Sequence, residues 1–250
     1  KPTKDFISFA SFVSFFPQLV AGPIVRASEF LPQIRLKLKL SNHNLSKAVF
    51  LIGSGLFKKA IISDYISVNY VDRVFDNPLL YSGVENLIGV YAYALQIYCD
   101  FSGYSDIAIG LALLLGFCLP INFDSPYQSS SVTEFWRRWH ISLSSWLKDY
   151  LYISLGGNRK GLIRTYINLS ITMILGGLWH GANWKFILWG IMHGLMLVIE
   201  KIIKSLISIP KNIILRALGI LLTFHFVSFC WIFFRADSYS KALDIIFQIK

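Results

Sequence analysis

Charge is scarce in this sequence. Only 15% of its 250 residues are Asp, Glu, Lys or Arg, where a soluble domain carries about 25%. The 54% hydrophobic fraction and the mean hydropathy of +0.54 exceed what one soluble core can hide, so lipid must be part of the solvent. Acids are scarcer than bases, 14 against 24, for a net charge of +10. The bases lie between apolar runs, which excludes a nucleic-acid surface and reads as cytoplasmic loops facing anionic lipid headgroups. Cysteine is short too. Cys99, Cys118 and Cys230 sit in or beside apolar segments without CxxC spacing, so they are expected to be small buried apolar side chains rather than disulfide or zinc partners. No HExxH, HxxHH or Cys/His cluster is present, and no metal site is expected. A GxSxG elbow is missing as well, and Ser102 in Asp-Phe-Ser-Gly-Tyr-Ser is a poor context for a nucleophile. Residues 1–5 do not resemble a signal peptide, and the chain reads as an internal piece of a longer membrane protein.

What is abundant is long apolar sequence. Candidate spans are 6–25, 48–70, 86–119, 162–178, 184–200 and 213–234, against roughly 20 residues for one crossing helix. The run 86–119 is too long for one simple helix, and Asp100-Phe-Ser-Gly103 predicts an interruption at depth or a re-entrant element, as tolerated where backbone lines a cavity. Loop charge gives orientation. Arg35, Lys37, Lys39 and Lys47 place 35–47 in the cytoplasm, and Asp72, Asp76 and Glu85 against Arg73 place 71–85 outside. Arg159, Lys160 and Arg164 mark a second cytoplasmic loop, and Lys201, Lys204 and Lys211 a third. The spans 162–178 and 184–200 then form a hairpin whose tip is Trp179–Trp184.

An ionisable group at membrane depth is expensive and therefore a functional candidate. The candidates are Asp100, Asp106, Glu134, Arg137, Arg138, His140, Asp149, His180, His193, Glu200 and His225. His180 stands in GGLWHGANW, residues 176–184, between two tryptophans and beside Gly176, Gly177 and Gly181. Read from pattern alone it is either a residue of an interfacial aromatic belt or a base, because a buried imidazole stays neutral and able to take a proton. His193, with Trp189 four residues before it, reads as a packing residue or a support for another side chain. The segment SVTEFWRRWHISLSSWLKDYLYISLGG, residues 131–157, predicts a helix with Trp139, Leu143, Trp146, Leu147 and Tyr150 on one stripe. Such a helix lies at the cytoplasmic interface or packs inside the protein with its polar face on a water-filled tunnel.

Four stretches together carry a resemblance: FFPQLVAGPIVR (15–26), YCDFSGYSDIAIGLALLLGF (98–117), FWRRWHISLSSWLKDYLYISLGGNR (135–159) and GGLWHGANWKFILWGIMHG (176–194). In this order they resemble the membrane-bound O-acyltransferase (MBOAT) family, most nearly its bacterial alginate O-acetyltransferase branch. The resemblance implies an all-α fold, a polytopic transmembrane helical bundle with re-entrant or interfacial helices around a tunnel. It implies that residues 1–250 form one core domain truncated at both ends, in a bacterial cytoplasmic membrane. It also places the catalytic histidine at His180 and a second family position at His140.

The chemistry so implied is acyl transfer from a cytoplasmic thioester, acetyl-CoA, toward hydroxyls of an extracytoplasmic polysaccharide, with no bound cofactor. His180 would take the hydroxyl proton; His140 would polarise the thioester carbonyl or orient the acceptor. An extracytoplasmic acetyltransferase is the implied partner protein. Arg137, Arg138, Arg159 and Lys160 are candidate contacts for coenzyme A phosphates, with ordinary positive-inside charge as the alternative. Two other readings stand: D-alanyl transfer from a carrier protein to teichoic acid, and a transporter whose broken helix at Asp100–Gly103 binds substrate without chemistry.

Overall fold

The computed structural model describes residues 5–19, 22–36, 40–207, 210 and 212–250. Lys37, Lys39 and Lys211, counted above in basic loops, lie outside the described residues, as do residues 20–21 of the first motif. Among the described residues all regular structure is helical: α1 (Phe6–Val13), α2 (Phe16–Leu19), α3 (Ala27–Ile34), α4 (Asn42–Leu56), α5 (Asp64–Ile66), α6 (Asp72–Asp76), α7 (Gly83–Leu114), α8 (Val132–Arg138), α9 (Ile141–Leu147), α10 (Leu162–Trp179), α11 (Trp184–Leu206), α12 (Ile213–Arg235) and α13 (Tyr239–Ile249). This bears out the all-α reading. Four of these, α7, α10, α11 and α12, are long and apolar enough to cross a membrane.

Two expected spans take another form. Residues 6–25 do not make one helix: α1 ends at Ser14, whose hydroxyl folds back on the Ala10 carbonyl at 2.7 Å. Pro17 follows at once in α2, and it can supply no N–H to a longer helix. The run 48–70 lies in α4 and a helical continuation with two π-helical stretches, Phe57–Ser63 and Ser67–Val71.

The chain divides into two compact units, residues 1–65 with 96–122, and residues 66–95 with 123–250. In the first, the predicted break at Asp100–Gly103 is absent, since α7 runs unbroken from Gly83 to Leu114. The polar and small residues there serve helix packing. A Cβ on Gly103 would come within 2.8 Å of the Gly55 carbonyl oxygen, and one on Gly55 within 2.6 Å of the Gly103 oxygen. One heptad along, Gly110 lies equally tight on the Ala48 carbonyl. Small residues let two backbones approach this closely, and ion pairs close the same seam, Lys58 to Asp106 at 2.6 Å and Lys59 to Asp100 at 2.8 Å; Lys59 also pairs with Asp64 on its own helical run at 2.7 Å. A phenylalanine cluster lies in this unit as well. The buried Phe30 ring stacks on Phe117 at 4.9 Å and meets Phe15 at 4.7 Å; burying such a ring stabilises by about 1.5–3 kcal/mol.

In the second unit, α10 and α11 form the expected hairpin, its tip at His180–Asn183. Gly190 carries the close approach, since a Cβ there would come within 2.5 Å of the Met173 carbonyl. Asn183 caps α11 through the Lys185 amide at 3.1 Å, and Lys185 Nζ donates to the Ala236 carbonyl at 2.8 Å, tying the tip to the end of α12. Lower on α11, Glu200 caps the N-terminus of α8. Its carboxylate accepts from the Val132 amide and from the Thr133 amide (3.0 Å) and hydroxyl (2.6 Å). A carboxylate at a helix N-terminus satisfies orphan N–H groups and meets the positive end of the helix dipole. This intramembrane acid, a functional candidate in sequence, is thereby a fastener for α8.

Candidate functional site

The helix predicted across 131–157 is two helices. α8 closes when the Trp139 amide donates to the Phe135 carbonyl at 2.8 Å, and the Arg138 carbonyl accepts from the Asp124 amide at 3.0 Å. Then His140 turns the chain with φ +43° and ψ +54°. A non-glycine residue in this left-handed region costs roughly 1–2 kcal/mol, and such strain concentrates at functional positions. α9 starts from the His140 carbonyl, which accepts the Ser144 amide at 2.9 Å. The predicted apolar stripe divides at this point: Trp139 and Leu143 are buried, whereas Trp146 and Tyr150 are exposed.

The break delivers the buried His140 ring to the hairpin tip. His140 lies 6.4 Å from the Trp179 ring and His180 lies 5.1 Å from it on the following residue, centroid to centroid. The two sequence-predicted imidazoles therefore share one tryptophan. Around His180 stand Trp189 at 5.5 Å, Phe234 at 5.1 Å and Phe186 at 6.3 Å. Among the described residues the His180 side chain makes no hydrogen bond and is only half-buried, so its ring nitrogens remain available to a substrate. Burial lowers the pKa of His180 from 6.5 to about 4. Burial, and then repulsion from a charged His180, lowers His140 to about 3. Both are neutral at pH 7, the form that accepts a proton.

Against His180 lies a layer that pattern reading left as packing or as support for another side chain. The Trp136 indole N–H donates to His193 Nδ1 at 3.2 Å. Trp189 and His193, 4.8 Å apart between ring centroids, are fully enclosed. Trp189 Nε1 and His193 Nε2 meet no hydrogen-bond partner in the protein. Leaving a buried donor unpaired costs about 1–3 kcal/mol. Trp139 and Trp231, 5.2 Å apart, complete the aromatic wall. The only sequence signal for this layer was the spacing of Trp189 and His193 on one helix face; the Trp136 contact is made across a long stretch of chain.

The four basic candidates separate. Arg138 is held by Glu134 at 3.0 Å and by Asp124 at 3.5 Å, which makes it a clamp on the α8–α9 break. Arg137, Arg159 and Lys160 are exposed and unpaired with any acid among the described residues. Arg159 and Lys160 ride a turn built on Gly156 (φ +107°) and Gly157 (φ +56°), conformations that glycine adopts without penalty. His225 spends its Nδ1 on the Leu221 carbonyl at 2.7 Å within its own helix, and His43 is exposed. Cys99 and Cys230 are buried as expected, but Cys118 is exposed, lying beyond the end of α7 where the chain leaves the helix. Among the described residues no group of three or more His, Cys, Asp or Glu side chains is placed to hold a metal ion.

An all-helical membrane protein with two neutral imidazoles gathered in an aromatic cage at a hairpin tip has the parts of a proton-transfer site. Comparison with known proteins gives the class. The sequence model of MBOAT, the membrane-bound O-acyltransferase family, matches residues 3–237, and the chain belongs to that family. It is 43% identical over 245 residues to a peptidoglycan O-acetyltransferase of Helicobacter pylori, covering 97% of this chain and 46% of that protein. It is 46% identical over 245 residues to a probable alginate O-acetylase of Azotobacter vinelandii, covering 96% of this chain and 47% of that protein. A teichoic acid D-alanyltransferase of Streptococcus thermophilus is 34% identical over 252 residues, covering 90% of this chain and 60% of that protein. The chain spans about half the length of the acetylating relatives.

Proposed function

We propose that the chain is the site-bearing part of an O-acetyltransferase of a bacterial cytoplasmic membrane, moving acetyl from a cytoplasmic thioester, acetyl-CoA, toward hydroxyls of an extracytoplasmic polysaccharide. The observation that carries this reading is the meeting of His140, in left-handed backbone, with His180 around Trp179. In this mechanism His180 takes the proton of the acceptor hydroxyl as its oxygen attacks the thioester carbonyl. The electron pair of the C=O bond moves onto oxygen, then returns and expels the thiolate, which recovers the proton from the imidazolium. General-base assistance contributes about 10²–10⁴-fold. His140 orients the acceptor, held in place by the α8–α9 break. Arg137, Arg159 and Lys160 are the candidate phosphate contacts; Arg138, which has acidic partners, is the weakest of the original four. An extracytoplasmic acetyltransferase is the proposed partner that finishes delivery to the polymer.

Acetyl rather than D-alanyl transfer is favoured by the higher identity to the acetylating relatives, 43% and 46% against 34%. The transporter reading rested on a broken helix at Asp100–Gly103, and that helix is continuous. The test is acetyl transfer from labelled acetyl-CoA by the full-length purified protein. Loss in both His180→Ala and His140→Ala, with the fold retained, supports the assignment; undiminished transfer in either overturns that residue's role.

A further inference from the structure

Two hydrogen-bond donors that find no acceptor belong to neighbouring rings, one of which, Trp189, lies against His180. The first is His193 Nε2. Its ring is completely buried, and its Nδ1 already accepts the Trp136 N–H at 3.2 Å. A neutral imidazole carries one proton, so accepting at Nδ1 places that proton on Nε2 and makes Nε2 a donor. The second is Trp189 Nε1, a donor only, one helical turn earlier and 2% exposed. Neither has a partner in the protein. The Trp189 ring touches both imidazoles, at 4.8 Å from His193 and 5.5 Å from His180. Phe226, Phe234 and Trp231 wall the pair with apolar ring surface. Buried donors without acceptors, in an aromatic wall, call for a ligand atom that only accepts.

We propose that Trp189 Nε1–H and His193 Nε2–H hold the carbonyl oxygen of the acyl thioester and stabilise the oxyanion formed there. This rests on the reading of His180 as the base. When the acceptor oxygen bonds to the carbonyl carbon, the displaced electron pair lands on that oxygen and the hydroxyl proton goes to His180. The two N–H groups give hydrogen bonds and no protons, so they serve both the forward collapse and the expulsion of thiolate. Donors fixed in advance at the site of developing charge act at their strongest where water is excluded. Trp136 is a positioning residue in this scheme, since its hydrogen bond keeps the His193 proton on Nε2.

The test uses the full-length protein with acetyl-CoA labelled with ¹³C at the carbonyl, read by isotope-edited infrared spectroscopy together with steady-state kinetics and thermal unfolding. Trp189→Phe deletes one N–H while keeping an aromatic ring. His193→Asn deletes the Nε2 donor and can still accept from Trp136, and His193→Gln restores an N–H near the Nε2 position. The bound carbonyl band is expected at lower wavenumber than that of free acetyl-CoA in the wild type and in His180→Ala. It is expected to return toward the free value in Trp189→Phe and His193→Asn. Each deletion is expected to lower kcat about 10²-fold with KM unchanged, and His193→Gln to recover most of it. An unshifted band in the wild type, or deletions that lower the melting temperature but leave kcat at the wild-type value, would overturn the proposal. Full activity in His180→Ala beside a shifted wild-type band would instead sink the general-base reading and leave the donor pair standing.

Discussion

Ionisable side chains occur in both compact units, and their surroundings differ. Where the π-helical continuation of α4 faces α7, Lys58 and Lys59 meet Asp106 and Asp100 at 2.6 and 2.8 Å, beside glycines that bring the two backbones together. At the tip of the α10–α11 hairpin His180 has aromatic neighbours and no acid partner among the described residues, and His140, in strained backbone, shares Trp179 with it. A charged group in a membrane protein is a functional candidate by default. The comparison refines that rule: paired charges on a small-residue seam fasten helices, while neutral imidazoles set among aromatic rings mark the place for chemistry.

The largest effect expected from breaking this contrast is on rate. His180→Ala should lower acyl transfer by about 10²–10⁴-fold while leaving the melting temperature near wild type. Lys58→Met with Asp106→Leu, which replaces an ion pair by apolar side chains, should leave kcat unchanged, since such replacements are often neutral for stability. Labelled acetyl transfer and thermal unfolding on the same preparations separate the two outcomes. A double variant as inactive as His180→Ala would erase the distinction between the regions.

Much of this was legible in the sequence where the information was local. The hairpin and its tip follow from two apolar runs flanking a short Trp-bounded turn, and α10 and α11 lie where those runs predicted. Asp100 and Gly103 were misread because their meaning lies on another helix, in Lys59 and Gly55. Viewed along α7 alone, an acid and a glycine look like a break. The reading of 131–157 as one helix failed for a different reason. Helical periodicity continues across Trp139 and His140, and nothing in the residue types announces a left-handed histidine. His193 was left between a packing residue and a support for another side chain, because its indole partner, Trp136, is remote in sequence.

Next in size is the acid limb of the pH profile. The ordinary histidine pKa is 6.5, and burial lowers His180 to about 4 and His140 to about 3. Below pH 6.5 the unfolded chain takes up protons that these two folded imidazoles refuse, so their contribution to stability falls as pH drops toward the folded values. The catalytic neutral form persists over the same interval. Activity per folded molecule should therefore stay level from pH 7 to about 5, where an ordinary histidine base would already be mostly protonated. An acid limb centred on 6.5 would show that His180 is solvated like an exposed residue.

Helix packing gives a smaller effect that sharpens the other half of the comparison. Gly103→Ala drives a methyl group to 2.8 Å from the Gly55 carbonyl, whereas a Cβ on Gly53 meets nothing within 4 Å. Overpacking of this kind costs about 1–3 kcal/mol. Gly103→Ala should lower the unfolding temperature and Gly53→Ala should not, with transfer per folded molecule unchanged in both.

The smallest expected effect concerns the strain at His140 and separates backbone from side chain. Both His140→Ala and His140→Gly remove the imidazole, so both should lose transfer activity to the same extent. Only alanine keeps a Cβ in the left-handed region, at φ +43°, where a side chain costs about 1–2 kcal/mol that glycine avoids. Glycine loses more entropy on folding, which offsets roughly 0.5–1 kcal/mol of the gain. His140→Gly should therefore be the more stable of the two by about 1 kcal/mol or less, read as a small difference in denaturant midpoint. Alanine as stable as glycine would mean that the turn relaxes once the ring is gone. The left-handed geometry would then be imposed by the packing of the imidazole beside Trp179, and α8 and α9 would not be holding it.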